Sequence, residues 1–281
     1  MCMRIDYRTT DLQPYINWVY FFHAWGVPPK SSEAMQLKQE AERVLATMRP
    51  HVVVKCVVDI LPAFSDEDDI VVGKTYLCEC GQCHATGETV RLPMLRQQTP
   101  GSDGFCLCLS DFIKPKQADT IQSDRMGVFA TSVAATGFEM DDQLMNQTLQ
   151  DRLAEAAAEK LHEEVRRRIW GYAPNEDLTI EQLHKEAFQG IRPAVGYPCL
   201  PDISLNFILD KLLNLSSIGI ELTGHGMMQP HASVSGLMIS HPQSRYFSVG
   251  KVDDTQLADY AKRRGMSVEE TKKYLAANTQ Y

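Results

Sequence analysis

Apolar and polar positions along the chain follow two different periods. Between 143 and 170, Leu149, Leu153, Ala157, Leu161, Val165 and Ile169 recur at four-residue steps, the spacing of one helix face. Asp141 and Asp142 precede that stretch and Arg166, Arg167 and Arg168 close it, the charge order that a helix dipole favours. SSEAMQLKQEAERVLATM predicts a second helix, with Met35, Ala41, Val44, Leu45 and Met48 at its apolar positions. Thr179 with Gln182 makes a capping box for another. Ser267 with Glu270 caps a short terminal helix, and Gly265 ends the one before it.

The second period belongs to strands. HVVVKCVVDILPAF is a β-branched run, predicting a strand buried on both faces and ended by Pro62. Residues 68–98 predict hairpin strands with turns at Gly81 and Gly87, and 127–137 predict a further strand. IELTGH, SGLMIS and YFSVGKV complete the β content. PYINWVYFFHAWG, dense in aromatics, reads as strand or loop entering the core. Helices and strands interleave irregularly and not as a βαβ series, so the chain, 1–281, is expected to form one α+β domain.

Composition narrows the class. A chain of 281 residues can bury a large core without disulfide help, and 44% hydrophobic with 23% charged residues excludes disordered and fibrous classes. Asp and Glu total 36 against 28 Lys and Arg, a net charge of −8. That balance argues against a nucleic-acid partner, because duplex binding rests on clustered cations. The sequence has no long apolar run and no signal-peptide core, so membrane contact is not expected and a cytoplasmic location is. Cysteines there stay reduced and point first to metal or redox chemistry. Cys78, Cys80, Cys83 and His84 form C-x-C-x-x-C-H, and Cys106 with Cys108 forms a second C-x-C, donor types that suit zinc.

The segment GIRPAVGYPCLPD at 190–202, rich in Gly and Pro, cannot continue a helix. Within it, Arg192 precedes Gly196 and Tyr197 as R-x-x-x-G-Y. A Pro-bounded Arg can present its planar fork to a carboxylate, Gly196 lets backbone approach a ligand closely, and Tyr197 adds an aromatic face and a hydroxyl. Such a loop has the parts to hold a zwitterionic or cationic small molecule. A Pro-rich connection with a solvated Arg is the other reading of the same residues.

In order along the chain, LRQQ at 95–98, LSDFIKP at 109–115, DRLAEAAAEKLHEEVRRRIWGYAPNEDL, GIRPAVGYP, ASVSG, RYFSVGK and DYAKRRGMSVEETKKYLAANTQY carry a resemblance. The chain resembles the activation domain, or S-adenosylmethionine-binding domain, of cobalamin-dependent methionine synthase. The resemblance runs from Tyr15 to Tyr281 and is densest from Asp151 onward. It implies a single C-shaped α+β domain around a bent, mainly antiparallel sheet with flanking helices. It also implies a reactivation subunit that presents S-adenosylmethionine to cobalamin on a separate methionine synthase. There, one-electron reduction of cob(II)alamin by flavodoxin or another reductant is coupled to methyl transfer and restores methylcobalamin. Cobalt is the methyl acceptor, so the chain has no assigned catalytic residue and is not a complete enzyme alone; cobalamin enters only through the partner.

By position, the resemblance implies that Arg192 holds the ligand's carboxylate and that the backbone around Ala194 and Gly196 lines the ligand. Tyr197 is expected between ligand and corrin, with Tyr246 and Phe247 as an aromatic pair beside them. Asn17, Glu155 and Glu186 complete the implied S-adenosylmethionine-binding set. The sequence departs from the family in places. Y-I-D-W reads Y-I-N-W, so Asn17 stands where Asp is usual; it keeps an acceptor for the ligand's ammonium but loses a charge. L-T-E-S-x-A-M reads L-T-G-H-G-M-M at 222–228, and Ile203 replaces a His. The alternative function is a non-catalytic binding or interaction module of the same fold with a drifted ligand site. A Rossmann-type methyltransferase would need its glycine loop at 221–226, where the pattern is incomplete.

Other groups read blandly. Arg166, Arg167 and Arg168, Lys262 to Arg264, and Lys272 with Lys273 either steer an acidic reductant such as flavodoxin or are solvated helix ends, and the second is expected. His162 and His184, in charge-rich helical surroundings, are expected at the surface. The resemblance places 78–108 as a Cys-containing hairpin region on strands, its cysteines unliganded and no metal bound.

Overall fold

The β-branched run beginning at Val52 extends through 15 residues, and the sheet is assembled on it. The computed structural model describes residues 2–77, 83–101, 104–117, 123–137 and 141–279. In chain order the elements are β1 (Met3–Arg8), α1 (Thr9–Leu12), α2 (Trp18–Ala24), α3 (Ser32–Met48), β2 (Val52–Asp66), β3 (Asp69–Leu77), β4 (Cys83–Pro93) and β5 (Asp124–Ala135). They are followed by α4 (Gln143–Glu164), α5 (Ile180–His184), α6 (Asn206–Leu213), β6 (Glu221–Leu222), β7 (Met228–Gln229), β8 (Ser233–Met238), α7 (Asp254–Arg264), α8 (Val268–Tyr274) and α9 (Ala276–Thr279). The main sheet has the order β4-β3-β2-β5-β8, with β1 also against β2, and its strand pairs are antiparallel. This is the expected α+β class. An antiparallel meander has no βαβ crossover for a Rossmann nucleotide site, which removes that reading of 221–226.

Alternation along β2 sorts the core into two layers. Val52, Val54, Cys56 and Val58 face a cluster with Leu45 of α3 and Leu149, Leu153 and Leu161 of α4. Val57, Leu61 and Ala63 face the opposite cluster, with Leu205, Leu209 and Leu213 around α6. This is the period-2 geometry of a strand covered on both faces. A third cluster, Leu95, Val249, Leu257, Tyr260 and Leu275, seats α7 and α8.

Local chemistry accounts for most element ends. Asp142 accepts from Met145 N at 2.9 Å to start α4, and the Thr179–Gln182 box closes in both directions at 2.9 and 3.3 Å. Gly265 ends α7 in the left-handed region, and Ser267 accepts from Glu270 N at 3.1 Å to open α8.

Several expectations change. The aromatic segment is helical from Trp18 to Ala24: Trp18, Phe21, Phe22 and Trp25 fall at helix spacing, and Phe21 packs edge to face on Trp18 and Phe22, which favours the 3.6-residue period. Pro62 does not end β2. It lies between the pairing of β1, which stops at Val58, and that of β3, which starts at Ala63, where β2 has only β5 beside it and a residue without N–H is tolerated. Gly87 is not a hairpin turn but lies inside β4 at a register shift opposite 73–75, with φ +81°, a bulge. Gly81, Cys78 and Cys80 lie outside the described residues. YFSVGKV forms no strand, and Cys106 and Cys108 lie in a loop joined to Arg96 by one bridge. Met35 is 63% exposed, the buried position being Ala34. Among the described residues no helix is long and apolar enough to cross a membrane.

The segment 191–195 lies along β8 like an extra strand. Ile191 and Ile239 exchange N–H···O bonds at 2.9 and 3.0 Å, Leu237 N donates to Pro193 O at 2.9 Å, and Val195 N donates to Ser235 O at 2.9 Å. Gly236 permits this: a Cβ there would stand 2.2 Å from the Pro193 carbonyl oxygen and 2.9 Å from Ala194 Cα, with backbone on both counts and no flexible end to yield. Gly236→Ala is therefore expected to cost about 1–3 kcal/mol of stability, read as a lowered urea midpoint. An unchanged midpoint would show that the segment can lift without cost.

Candidate functional site

A cleft of about 700 Å³ opens between α4, the 190–199 segment and the N-terminal end of α2, within the size range of small-ligand sites. Its floor is one face of α4: Arg152, Glu155, Ala156 and Glu159 line it, at helical positions that share a face. The 190–199 segment forms one wall, with Arg192, Ala194, Tyr197 and Cys199, and Tyr246 and Phe247 close that side. Tyr15, Asn17, Tyr20 and His184 form the other.

Polar contacts hold the 190–199 wall to the α4 floor. Tyr197 Oη donates to Glu155 Oε1 at 2.6 Å. Arg192 Nη2 donates to Glu159 Oε2 at 3.0 Å, both side chains being nearly enclosed. Arg192 N donates to Tyr246 Oη at 2.9 Å, and burial pushes the Tyr246 hydroxyl up to about 12, so it stays neutral and able to accept. Burial opposes the Arg192 charge, but Glu159, Tyr246 and Glu155 outweigh it and hold the guanidinium above its ordinary value. Arg192 Nε and Glu159 Oε1 are buried with no hydrogen-bond partner. Glu186, in the left-handed region at φ +56°, makes no ion pair among the described residues; burial and then Glu159 raise its carboxyl, against the opposing charge of Arg192.

The structure thus brings Asn17, Glu155, Glu186, Arg192, Ala194, Tyr197, Tyr246 and Phe247 to one cleft. Gly196 is the exception. It does not line the cleft but turns the chain behind it, with φ +89° and its N–H donating to Leu200 O at 2.8 Å. Asn17 differs from expectation too: its Oδ1 accepts from Val19 N at 3.1 Å as the N-cap of α2. The cap uses one of the two acceptor positions of that oxygen. The altered 222–228 segment forms the β6–β7 turn, and neither it nor Ile203 lines the cleft. Glu159, Arg152, Tyr15, Tyr20 and His184 were missed by sequence reasoning. The signal for Glu159 was its place one helical turn after Glu155 on the same face.

A second polar layer lies behind the cleft, and it corrects the reading of the basic helix end. The last turn of the long helix, Val165–Ile169, is a π-turn in which Trp170 N and Gly171 N both donate to Val165 O, at 3.0 and 3.1 Å. Arg166 there is fully buried. It donates from Nε to both oxygens of Glu176 at 3.0 and 2.8 Å and from Nη2 to Oε1 at 2.7 Å, with Phe188 4.2 Å beneath the guanidinium. Arg167 and Arg168 pair with Glu163 and Glu164. Arg263 pairs with Asp69 and Asp259, and Arg264 with Asp202. Arg166 and Arg264 are thus enclosed and not solvated, whereas Arg167, Arg168, Lys262, Lys272 and Lys273 are exposed, as expected of helix ends. His162 is buried and not at the surface, edge-on to Phe188 with ring centroids 4.9 Å apart. His184 lines the cleft, its Nε2 3.1 Å from Tyr15 O.

Among the described residues no group of three or more His, Cys, Asp or Glu could hold a metal ion. Of the C-x-C-x-x-C-H motif, only the backbone of Cys83 and His84 is described, within β4. Cys108 and Cys199 are buried thiols, and burial pushes each up to about 11, far from the thiolate that nucleophilic attack requires.

An antiparallel sheet that carries an Arg-bearing loop on its edge strand, opposite a helix face rich in carboxylates, defines an α+β domain with a polar cleft. The chain matches the family described as Vitamin B12 dependent methionine synthase, activation domain, over residues 8–265, and it belongs to that family. It is similar to a crystal structure of the MetH reactivation domain bound to AdoHcy, with 35% sequence identity and a TM-score of 0.86, over 100% of this chain and 91% of that one.

Two measurements test the layer behind the cleft. Glu176→Ala strips the partner from a buried guanidinium and is expected to cost about 3–5 kcal/mol, read by urea unfolding; a cost below about 1 kcal/mol would mean that water reaches Arg166. Burial, then Arg166 and Arg192, hold the His162 imidazole well below 6.5. A base depressed in the fold contributes stability that is present above the unfolded value near 6.5 and is lost as pH falls below it. From pH 6.5 downward the wild type is expected to lose at most about 1.4 kcal/mol per pH unit more than His162→Gln. Parallel stability profiles for the two proteins would contradict this.

Proposed function

We propose that the cleft binds S-adenosylmethionine and that the chain serves as the activation unit of a cobalamin-dependent methionine synthase. In this reading it presents the methyl donor to cobalamin held by another module, in the cytoplasm, with flavodoxin or another reductant supplying the electron. The observation that carries the reading is Arg192: an enclosed guanidinium with an unpartnered Nε, standing in a cleft of about 700 Å³ among aromatic rings and carboxylates. A solvated loop Arg would have water at that nitrogen; a buried one calls for an acceptor. The related reactivation domain with bound AdoHcy supports the same ligand class.

The residues fit the donor's charges. Its carboxylate pairs with Arg192, and its ammonium and sulfonium are matched by Glu186, which has no ion-pair partner among the described residues, and by the aromatic faces of Tyr197 and Tyr246. Asn17, one acceptor position of its oxygen used by the α2 cap, offers the other and an N–H donor to the ligand. The bound donor supplies an electrophilic methyl group, which leaves a thioether when transferred to the partner's cobalt. This chain's residues bind and orient: the Tyr197–Glu155 and Arg192–Glu159 contacts fix the 190–199 segment against α4, and no group in the chain needs to move a proton.

Titration calorimetry with S-adenosylmethionine, paired with thermal melts, tests the reading. At a ligand concentration of 100 Kd, binding is expected to stabilise the wild type by about 2.7 kcal/mol, and Arg192→Ala is expected to remove both heat and shift. Absence of heat and shift in the wild type at millimolar ligand would overturn it in favour of a binding module with a drifted site.

A further inference from the structure

Two buried arginines in this fold meet a glutamate, and they do so differently. Arg166 is closed by three hydrogen bonds to Glu176, from Nε and Nη2, the side-on arrangement that satisfies a guanidinium edge and a carboxylate together. Arg192 touches Glu159 through Nη2 and Oε2 alone, at 3.0 Å. Its Nε and the second oxygen of Glu159 are both buried and unpaired, and one face of the guanidinium lies over Phe129, 5.9 Å from the ring centroid. Arg166 thus has its Nε–Nη2 edge filled from within the chain, with Nη1 buried and unpaired, whereas Arg192 is held at Nη2 alone and its Nε–Nη2 edge is left unfinished. Glu159 projects from the middle of α4, whose neighbouring buried residues Ala157, Ala158 and Leu161 fix its backbone in the core, so the carboxylate is placed by a rigid element and not by the loop that it holds.

We propose that Glu159 is a positioning residue for the amino-acid end of the ligand: it clamps Arg192 at Nη2 and fixes the plane of the guanidinium, leaving the remaining edge to a carboxylate. This rests on the reading of the cleft as an S-adenosylmethionine site. The clamp needs an acceptor at one point and not a charge, so an amide of the same length replaces it, whereas a shorter acid does not.

The test compares S-adenosylmethionine with 5′-methylthioadenosine, which shares the nucleoside and lacks the amino-acid end, by calorimetry on the full chain. For Glu159→Asp and Glu159→Leu, S-adenosylmethionine is expected to bind about tenfold or more weakly while 5′-methylthioadenosine is unchanged. Glu159→Gln is expected to stay within about threefold of wild type for both. If Glu159→Leu does not fold, Glu159→Asp alone decides. Wild-type affinity of Glu159→Asp for S-adenosylmethionine, or an equal loss for both ligands, overturns the proposal. A wild type that binds neither ligand overturns the functional reading instead.

Discussion

The carbonyl of Pro193 rests where the side chain of residue 236 would otherwise stand, and the candidate site depends on that close approach. Because Gly236 has no Cβ, the segment 191–195 hydrogen-bonds along β8 on both sides of Pro193. The edge of the sheet is thereby covered, and a loop rich in Gly and Pro acquires the rigidity of the sheet. Arg192, Ala194 and Tyr197 inherit their positions from this contact. The other half of the alignment comes from α4, which packs on the same sheet through Leu149, Leu153 and Leu161 and meets the loop through Glu155 and Glu159.

Those contacts divide the labour between stability and binding. Toward the end of α4 the π-turn brings Arg166 inward, where Glu176 and Phe188 enclose it. A buried pair of this kind is expensive to break but adds little net stability over an apolar pair; its consequence is that the chain from 172 to 190 has one place to go. In the cleft, Arg192 Nε and Glu159 Oε1 are buried without a hydrogen-bond partner. Unfinished pairing in a cleft is what a ligand of mixed charge can complete, and it is costly in an empty one.

The segments that make the family visible are not all at the site. In LRQQ, Arg96 reaches Asp68 and both oxygens of Asp111 from LSDF, Gln97 joins Leu107 N to Ser248 O, and Gln98 accepts from Asp253 N. These side chains pin the hairpin region, the 105–111 loop and the start of α7 together on the far side of the sheet from α4. Likewise, the departures at 203 and 222–228 fall behind the ligand loop and not in the cleft, whereas the single change at Asn17 lies in it, softened by the amide's second task as a helix cap.

The sequence by itself determined the helices whose caps and apolar spacing are local, the α+β class, and a set of residues of which all but one share the cleft, since R-x-x-x-G-Y and its companions identify the family wherever they fall in space. It misjudged elements decided by their neighbours. The 14–26 segment carries aromatics at a spacing either period could use, and packing against the core made Trp18–Ala24 a helix. Pro62 is harmless only because β1 stops and β3 starts on either side of it. Arg166 and His162, polar residues on a helix, looked solvated because a one-dimensional pattern does not show which face a returning chain will cover. Glu159 was invisible for the same reason: its role exists only once Arg192, 33 residues later in the chain, is laid across α4. Local periodicity sets what an element is; what a charge does depends on which opposite charge the tertiary fold brings within reach.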